Sequence, residues 1–228
     1  MRFVLLHSPL LGPLTWRATA AALAGRGHQT QTPSWPRLSS IAEGYYPALA
    51  AAMAANVEEG DPAVLVAHSG AGALVPALAA AMRAPPARVI FVDAILPHPR
   101  RSWFDTAPAE VRERLRGGAQ MGQLPPWDDW WPPGALERLV PDPQLRQALV
   151  AELEPLPLAY FEEPAPEGDA APPAAYLKLS GAYEDEARIA GRLGWPVVRL
   201  PMNHLAMLSQ PDAVATAIEG LAAAGAPA

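Results

Sequence analysis

A serine set among small residues, an isolated aspartate and a late histidine are together able to carry out acyl transfer. In "VLVAHSGAGALV", Val64 to Val75, a run of β-formers breaks around Ser69 and a helix-like apolar run follows. A nucleophile on a strand-to-helix elbow needs small side chains two residues before and two after it, because the turn is strained and tight. Ala67 and Ala71 meet that need. His204, in "MNHLAML", follows the last apolar run and precedes a helix, where a general base could take the Ser69 proton. For the acid that would orient it, Asp93 closes "VIFVDA", a place where a carboxylate is costly to bury without a partner. Glu184 and Asp185 compete with it, although clustered acids also suit a helix start. Asp93 is the preferred choice and Glu184 the alternative.

The same turn admits a second chemistry. "GAGALV" follows a strand and opens a helix, and Asp93 lies about 20 residues on, as a dinucleotide site requires. The sixth position is Val75, where that fingerprint needs Gly or Ala, and the unit stands third in the chain rather than first. It also leaves "MNHLAML" without a role.

These residues need a scaffold, and the chain alternates short apolar runs with helical stretches. Strands are expected at Phe3–Leu6, Gln29–Thr32, Val64–Ala67, Val89–Val92, Tyr176–Leu179 and Val197–Leu200. Helices are expected at Thr15–Ala24, Ile41–Val57, Ala71–Met82, Asp185–Leu193 and Asp212–Ala223. Such alternation reads as βαβ units, an α/β fold with a mostly parallel sheet and helices on both faces. From His98 to Ala171 the rhythm stops; prolines are dense, and Trp103, Trp127, Trp130 and Trp131 fall here. "APAEVRERLRGG" and "DPQLRQALVAEL" carry helix-start signals, and "FEEPAPEGDAAPP" reads as a linker. The expected organisation is a core over 1–97, a helical lid without strands over 98–171, and the rest of the core over 172–228.

With 228 residues, half of them apolar, the chain suffices for one large core plus a lid. A net charge of −6 gives no basic field for nucleic acid or anionic membrane. Zero cysteines exclude thiol nucleophiles, disulfides and Cys-ligated metals. "MRFVLLHSP" is too short for a signal peptide, and no run nears the roughly 18 apolar residues of a membrane span. A soluble cytoplasmic protein is expected, and no metal or organic cofactor is called for. Oligomeric state is not legible.

The order of these blocks resembles the α/β-hydrolase superfamily over nearly the whole chain. "FVLLHSPLLGPLTW" is similar to the first strand and oxyanion loop of its small esterase and hydroxynitrile-lyase branch, with His7 and Trp16 in the family's frame. "VAHSGAG" resembles the elbow, and "WPVVRLPMNHLAMLSQPDAVATAI" the final strand, catalytic histidine and closing helix. The resemblance implies Ser69 as nucleophile and His204 as base, with the acid most often after "AAYLKLS" (Glu184) or else after the preceding strand (Asp93). It makes His7 a structural brace of the first loop. His68 is expected to point away from the nucleophile, His28 to be a surface turn residue, and His98 to open the lid beside the pocket.

The resemblance also implies an oxyanion hole of two backbone amides. Gly70, after the nucleophile, supplies one; the second would come from Pro9, which has no N–H. Leu10 is the expected substitute, with Leu11 next in line. That departure keeps non-hydrolytic roles open: a lyase, a peptide epimerase like that of the bottromycin pathway, which the chain also resembles, or a silent binding protein. The lid's rings, Trp103, Trp127, Trp130 and Trp131, with His98, predict a pocket for a neutral or hydrophobic small molecule or modified peptide.

Overall fold

Runs of branched and aromatic residues that are buried from end to end make the centre of this protein. The computed structural model describes residues 1–168 and 172–224. In chain order the strands are β1 (Arg2–Leu6), β2 (Gln29–Gln31), β3 (Val64–His68), β4 (Arg88–Val92), β5 (Gln123–Leu124), β6 (Leu156–Pro157), β7 (Ala174–Lys178) and β8 (Val197–Arg199). Six of them form a parallel sheet in the order β2-β1-β3-β4-β7-β8. β1, β3 and β4 are buried at every position, as strands covered on both faces must be. The shorter, partly exposed β2 and β8 close the edges. Val64 pairs with Arg88 and His68 with Val92, so Ser69 and Asp93 leave adjacent strands at one level of the carboxyl edge.

Helices α1 (Leu14–Gly25), α2 (Tyr45–Asn56) and α3 (Val75–Ala81) connect the first four strands. Two begin later than the sequence pattern suggests. α2 starts after Gly44, whose φ of 68° is left-handed and breaks the expected run from Ile41. Residues Ser69–Leu74 form a tight 3-10 turn before α3, because Pro76 offers no amide to continue an α-helix through it.

Between β4 and β7 lie five short helices: α4 (Trp103–Thr106), α5 (Ala109–Gly118), α6 (Ala135–Leu139), α7 (Pro143–Val150) and α8 (Leu158–Glu162). The strandless expectation is corrected by the antiparallel pair β5–β6, too short to show a period in sequence. The expected linker and the expected boundary at 171 fall partly outside the described residues, as do 225–228 at the chain's end. An apolar knot of Phe104, Phe161, Tyr160, Trp127 and Trp130 fills this segment. Carboxylates fasten it to the core. Glu152 accepts from the Leu14 amide, Glu154 from Leu38, and Glu163 from Tyr45 and Tyr46, at 2.8–3.1 Å.

After β7 come α9 (Glu184–Arg192), α10 (Ala206–Ser209) and α11 (Pro211–Ala223). α1, α10 and α11 pack together on one face of the sheet, while α2 and α3 pack together on the other, where α9 lies beside β7 and β8. Among the described residues, no helix is long and apolar enough to cross a membrane.

Candidate active site

The sheet's carboxyl edge brings Ser69, Asp93 and His204 together, each from a different loop. Ser69 has φ 55° and Asp93 φ 42°. Such left-handed residues cost roughly 1–2 kcal/mol apiece and persist only where the surroundings impose them. At Ser69 they do so tightly. A Cβ on Gly72 would stand 2.0 Å from the Ile95 carbonyl oxygen, so glycine is required there. The Ser69 carbonyl in turn accepts from the Ile95 amide at 3.2 Å. Ala67 and Ala71, the small neighbours expected of an elbow, are fully buried.

Asp93 has no solvent exposure. Its carboxylate accepts from the Leu179 amide (2.7 Å), the Ser180 amide (3.0 Å), the Ser180 hydroxyl (2.5 Å) and His204 Nδ1 (3.0 Å). Burial acts to raise this carboxyl. The His204 hydrogen bond and charge, with those from Ser180, outweigh it and hold Asp93 below the usual carboxylate range. Tyr176 steadies the same turn, donating to the Ala94 carbonyl at 2.8 Å and accepting from the Ala94 amide at 3.1 Å. Glu184, the alternative acid, instead pairs with Lys178 at 2.6 Å and Arg199 at 3.4 Å on the surface. Asp185 is exposed and holds Arg188 at 2.6 Å.

With Nδ1 donating to Asp93, His204 keeps an acceptor lone pair on Nε2. Two rings hold the imidazole in place. Tyr183 stacks on it at 5.1 Å and 9°, and its hydroxyl lies 3.3 Å from Ser69 Oγ. Burial is the main cause that lifts the Tyr183 phenol well above its usual range, so it stays protonated. His68 packs against His204 at 4.5 Å and donates from Nε2 to the His204 carbonyl at 3.0 Å. Burial first, and then the neighbouring His204, pushes His68 far below the ordinary histidine range, so it is neutral.

The site therefore includes Tyr183, His68 and Ser180, which the sequence does not announce. Tyr183 and Ser180 sit in the loop searched for an acid, but hydroxyl residues there carry no spacing signal. His28, expected on a surface turn, is half-buried and pairs with Glu219 at 2.9 Å. His7 braces its loop, donating from Nδ1 to the Ser8 carbonyl, and burial lowers its pKa to about 4.

The first loop differs from expectation. Ser8 to Leu11 form a turn in which the Leu11 amide is committed to the Ser8 carbonyl at 2.9 Å. The Leu10 amide is directed at Ser8 Oγ at 3.3 Å, because Pro9 bends the chain there and donates nothing itself. Ser8 Oγ lies 3.0 Å from where a Cβ on Gly70 would stand. Gly70, second in its turn, has an amide without a partner inside that helix.

Over these groups opens a cavity of about 880 Å³ lined by Ser69, Gly70, Leu10, Tyr183 and His204. Trp103, Trp127, Trp130, Trp131 and His98 line it too. Trp131 is 40 % exposed, while Trp127 and Trp130 are buried. His98 Nδ1 is committed to the Arg101 carbonyl at 2.8 Å, so this ring serves as wall.

Comparison with known proteins agrees along the whole length. The model of the alpha/beta hydrolase family matches residues 3–217. A carbendazim hydrolyzing esterase of Nocardioides sp. (strain SG-4G) is 27 % identical over 98 % of this chain and 99 % of its own. Two solved structures superpose with a TM-score of 0.74. An extracellular alpha/beta-hydrolase from a Paenibacillus species is 20 % identical, covering 97 % of this chain and 98 % of that one. A pyrethroid hydrolase from Sphingobium faniae JZ-2 is 19 % identical, covering 99 % and 98 %. From its parallel sheet, its strained Ser69 turn and this match over 3–217, the chain belongs to the alpha/beta hydrolase family.

Proposed function

We propose that this protein is a serine-dependent hydrolase of a neutral, apolar carboxylic ester or amide, with Ser69 as nucleophile, His204 as general base and Asp93 as orienting acid. The observation that carries the reading is the 3.0 Å bond from His204 Nδ1 to a fully buried Asp93 carboxylate, beside a serine held at φ 55°. Asp93 fixes the tautomer in which Nε2 faces the reaction as a base. His204 then takes the Ser69 proton while Oγ attacks the substrate carbonyl carbon, and the imidazolium returns that proton to the leaving group. Water, activated by the same histidine, releases the acyl group. The Gly70 amide meets the developing oxyanion. Its companion comes from the first loop, where the Leu10 amide exchanges its 3.3 Å contact with Ser8 Oγ for the oxyanion, in place of the amide that Pro9 lacks.

In this reading the segment between β4 and β7 is a lid, with the expected division at 97/98 and 171/172. The apolar, ring-lined cavity and the esterase and pyrethroid hydrolase among its relatives support a small neutral substrate. A fluorophosphonate probe should label the protein, and Ser69→Ala should abolish both labelling and p-nitrophenyl acetate hydrolysis. One observation favours a second reading, proton transfer at carbon. Ser69 Oγ is hydrogen-bonded to Tyr183, so His204 and the Tyr183 phenol could exchange protons with a substrate without an acyl-enzyme. Unlabelled protein that still turns over a substrate would favour it.

A further inference from the structure

The residues that line the cavity fall into two arms, of which the proposed chemistry explains one. The first lies under the tryptophans. The second runs back along the sheet, walled by Val89 and Phe91 of β4, Ala174 of β7, Val75 of α3, Ile189 of α9, and Trp195. Val89 and Phe91 share a face by strand alternation, and Val89 pairs with Ala174, so all three look into one trough. The level of Ser69 and Asp93 lies four residues beyond Val89, which makes the arm about 13 Å long at the rise of a strand.

The topology explains why it is open. A parallel crossover ordinarily lays a helix over the sheet between the two strands it joins. α3 is that helix for β3 and β4, and α9 for β7 and β8. The crossover from β4 to β7 is the segment holding α4 to α8, whose helices pack on one another and against α1. α11 packs on β4 and β7 from one face; on the other, where α9 lies beside β7, the β4–β7 crossover adds no helix among the described residues. Trp195 partly substitutes, stacked on Phe91 at 5.4 Å and 13°. On its rim Ile189 is 37 % and Leu193 59 % exposed, which leaves apolar surface open to solvent there.

We propose that this arm is a subsite for a long unbranched apolar chain on the substrate, one end of which the Ser69 centre processes. The occupant follows from continuity with the catalytic cleft, from the arm's length, and from walls that carry no cationic side chain among the described residues. Glu186, half-buried on the same lining, opposes an anionic tail, so the chain ends in a neutral group. The reading rests on the proposed hydrolysis for the chemistry at Ser69, but its test does not.

Titration calorimetry with the series hexanol, octanol and decanol reads the arm without any turnover. Affinity should rise by about fourfold per methylene, the ratio set by burying a CH₂. Leu193→Glu, at an exposed position, should weaken decanol binding at least tenfold and flatten the series, as should Ala174→Phe by filling the trough. If Ala174→Phe fails to fold, Leu193→Glu decides alone. A flat series in the wild type, a rise that the soluble variants leave intact, or tighter binding of naphthol than of decanol would each overturn the proposal. Labelling of Ser69 by fluorophosphonate is scored separately. A chain-length series without labelling removes the hydrolytic reading and keeps the subsite, whereas labelling with a flat series does the reverse.

Discussion

At the carboxyl edge of the sheet, Asp93 is fixed by hydrogen bonds from Leu179, Ser180 and His204. In the segment between β4 and β7, Trp103, Phe104, Trp130 and Phe161 are held by ring contacts of 5.3–6.3 Å. Directional bonds at the edge make function depend on single atoms at constant volume. Ring packing in the segment makes stability depend on volume and hardly at all on any one atom.

The contrast breaks most sharply at Asp93. Asp93→Asn keeps the volume but spoils the tautomer of His204, and kcat should fall by about 10⁴. Glu184→Gln, on the surface, should keep activity within about twofold. Comparable losses for both in steady-state kinetics would put the orienting acid elsewhere. Phe161→Ala makes the opposite kind of change, with no exposure to begin with and an aromatic cavity left behind. It should cost about 3–5 kcal/mol in urea unfolding, whereas Trp131→Ala at the exposed rim should cost under about 1 kcal/mol.

Protonation sharpens the comparison next. His7, lowered to about 4 by burial, favours the neutral form in the folded protein. The unfolded histidine protonates first as pH falls, so the stabilising effect is complete above about 6.5 and is lost between about 6.5 and 4. That loss is roughly 3 kcal/mol from His7, and His7→Asn should remove that part of the pH dependence in thermal melts. The smallest effect concerns Tyr183. Tyr183→Phe keeps the stack on His204 and deletes the bond to Ser69, so kcat should drop about tenfold with KM nearly unchanged. Tyr183→Ala, losing both, should fall further and shift the pH profile.

The sheet is legible in sequence because β1, β3 and β4 are buried on both faces and so read as unbroken apolar runs. The Ser69 turn is legible because its geometry demands small residues on either side of Ser69. Tyr183 and His68 are not, since stacking on His204 depends on how three loops converge and leaves no trace in spacing. The direction of the Leu10 amide is hidden for a similar reason. A proline reveals which donor is missing, but the turn that redirects its neighbours is settled by three-dimensional closure. The β5–β6 pair escapes because two residues carry no period.

The carboxylates of Glu152, Glu154 and Glu163 have a consequence in time. They serve the first amides of α1, of the turn at Leu38 and of α2, none of which has a side-chain cap of its own. The partners are separated by 116–138 residues of chain. At a synthesis rate of about 5–20 residues per second, these helix starts wait on the order of ten seconds for their acceptors. Translation thus delivers an amino-terminal quarter that is complete in sequence but unfinished in structure, and its last hydrogen bonds close only when residue 163 has cleared the ribosome.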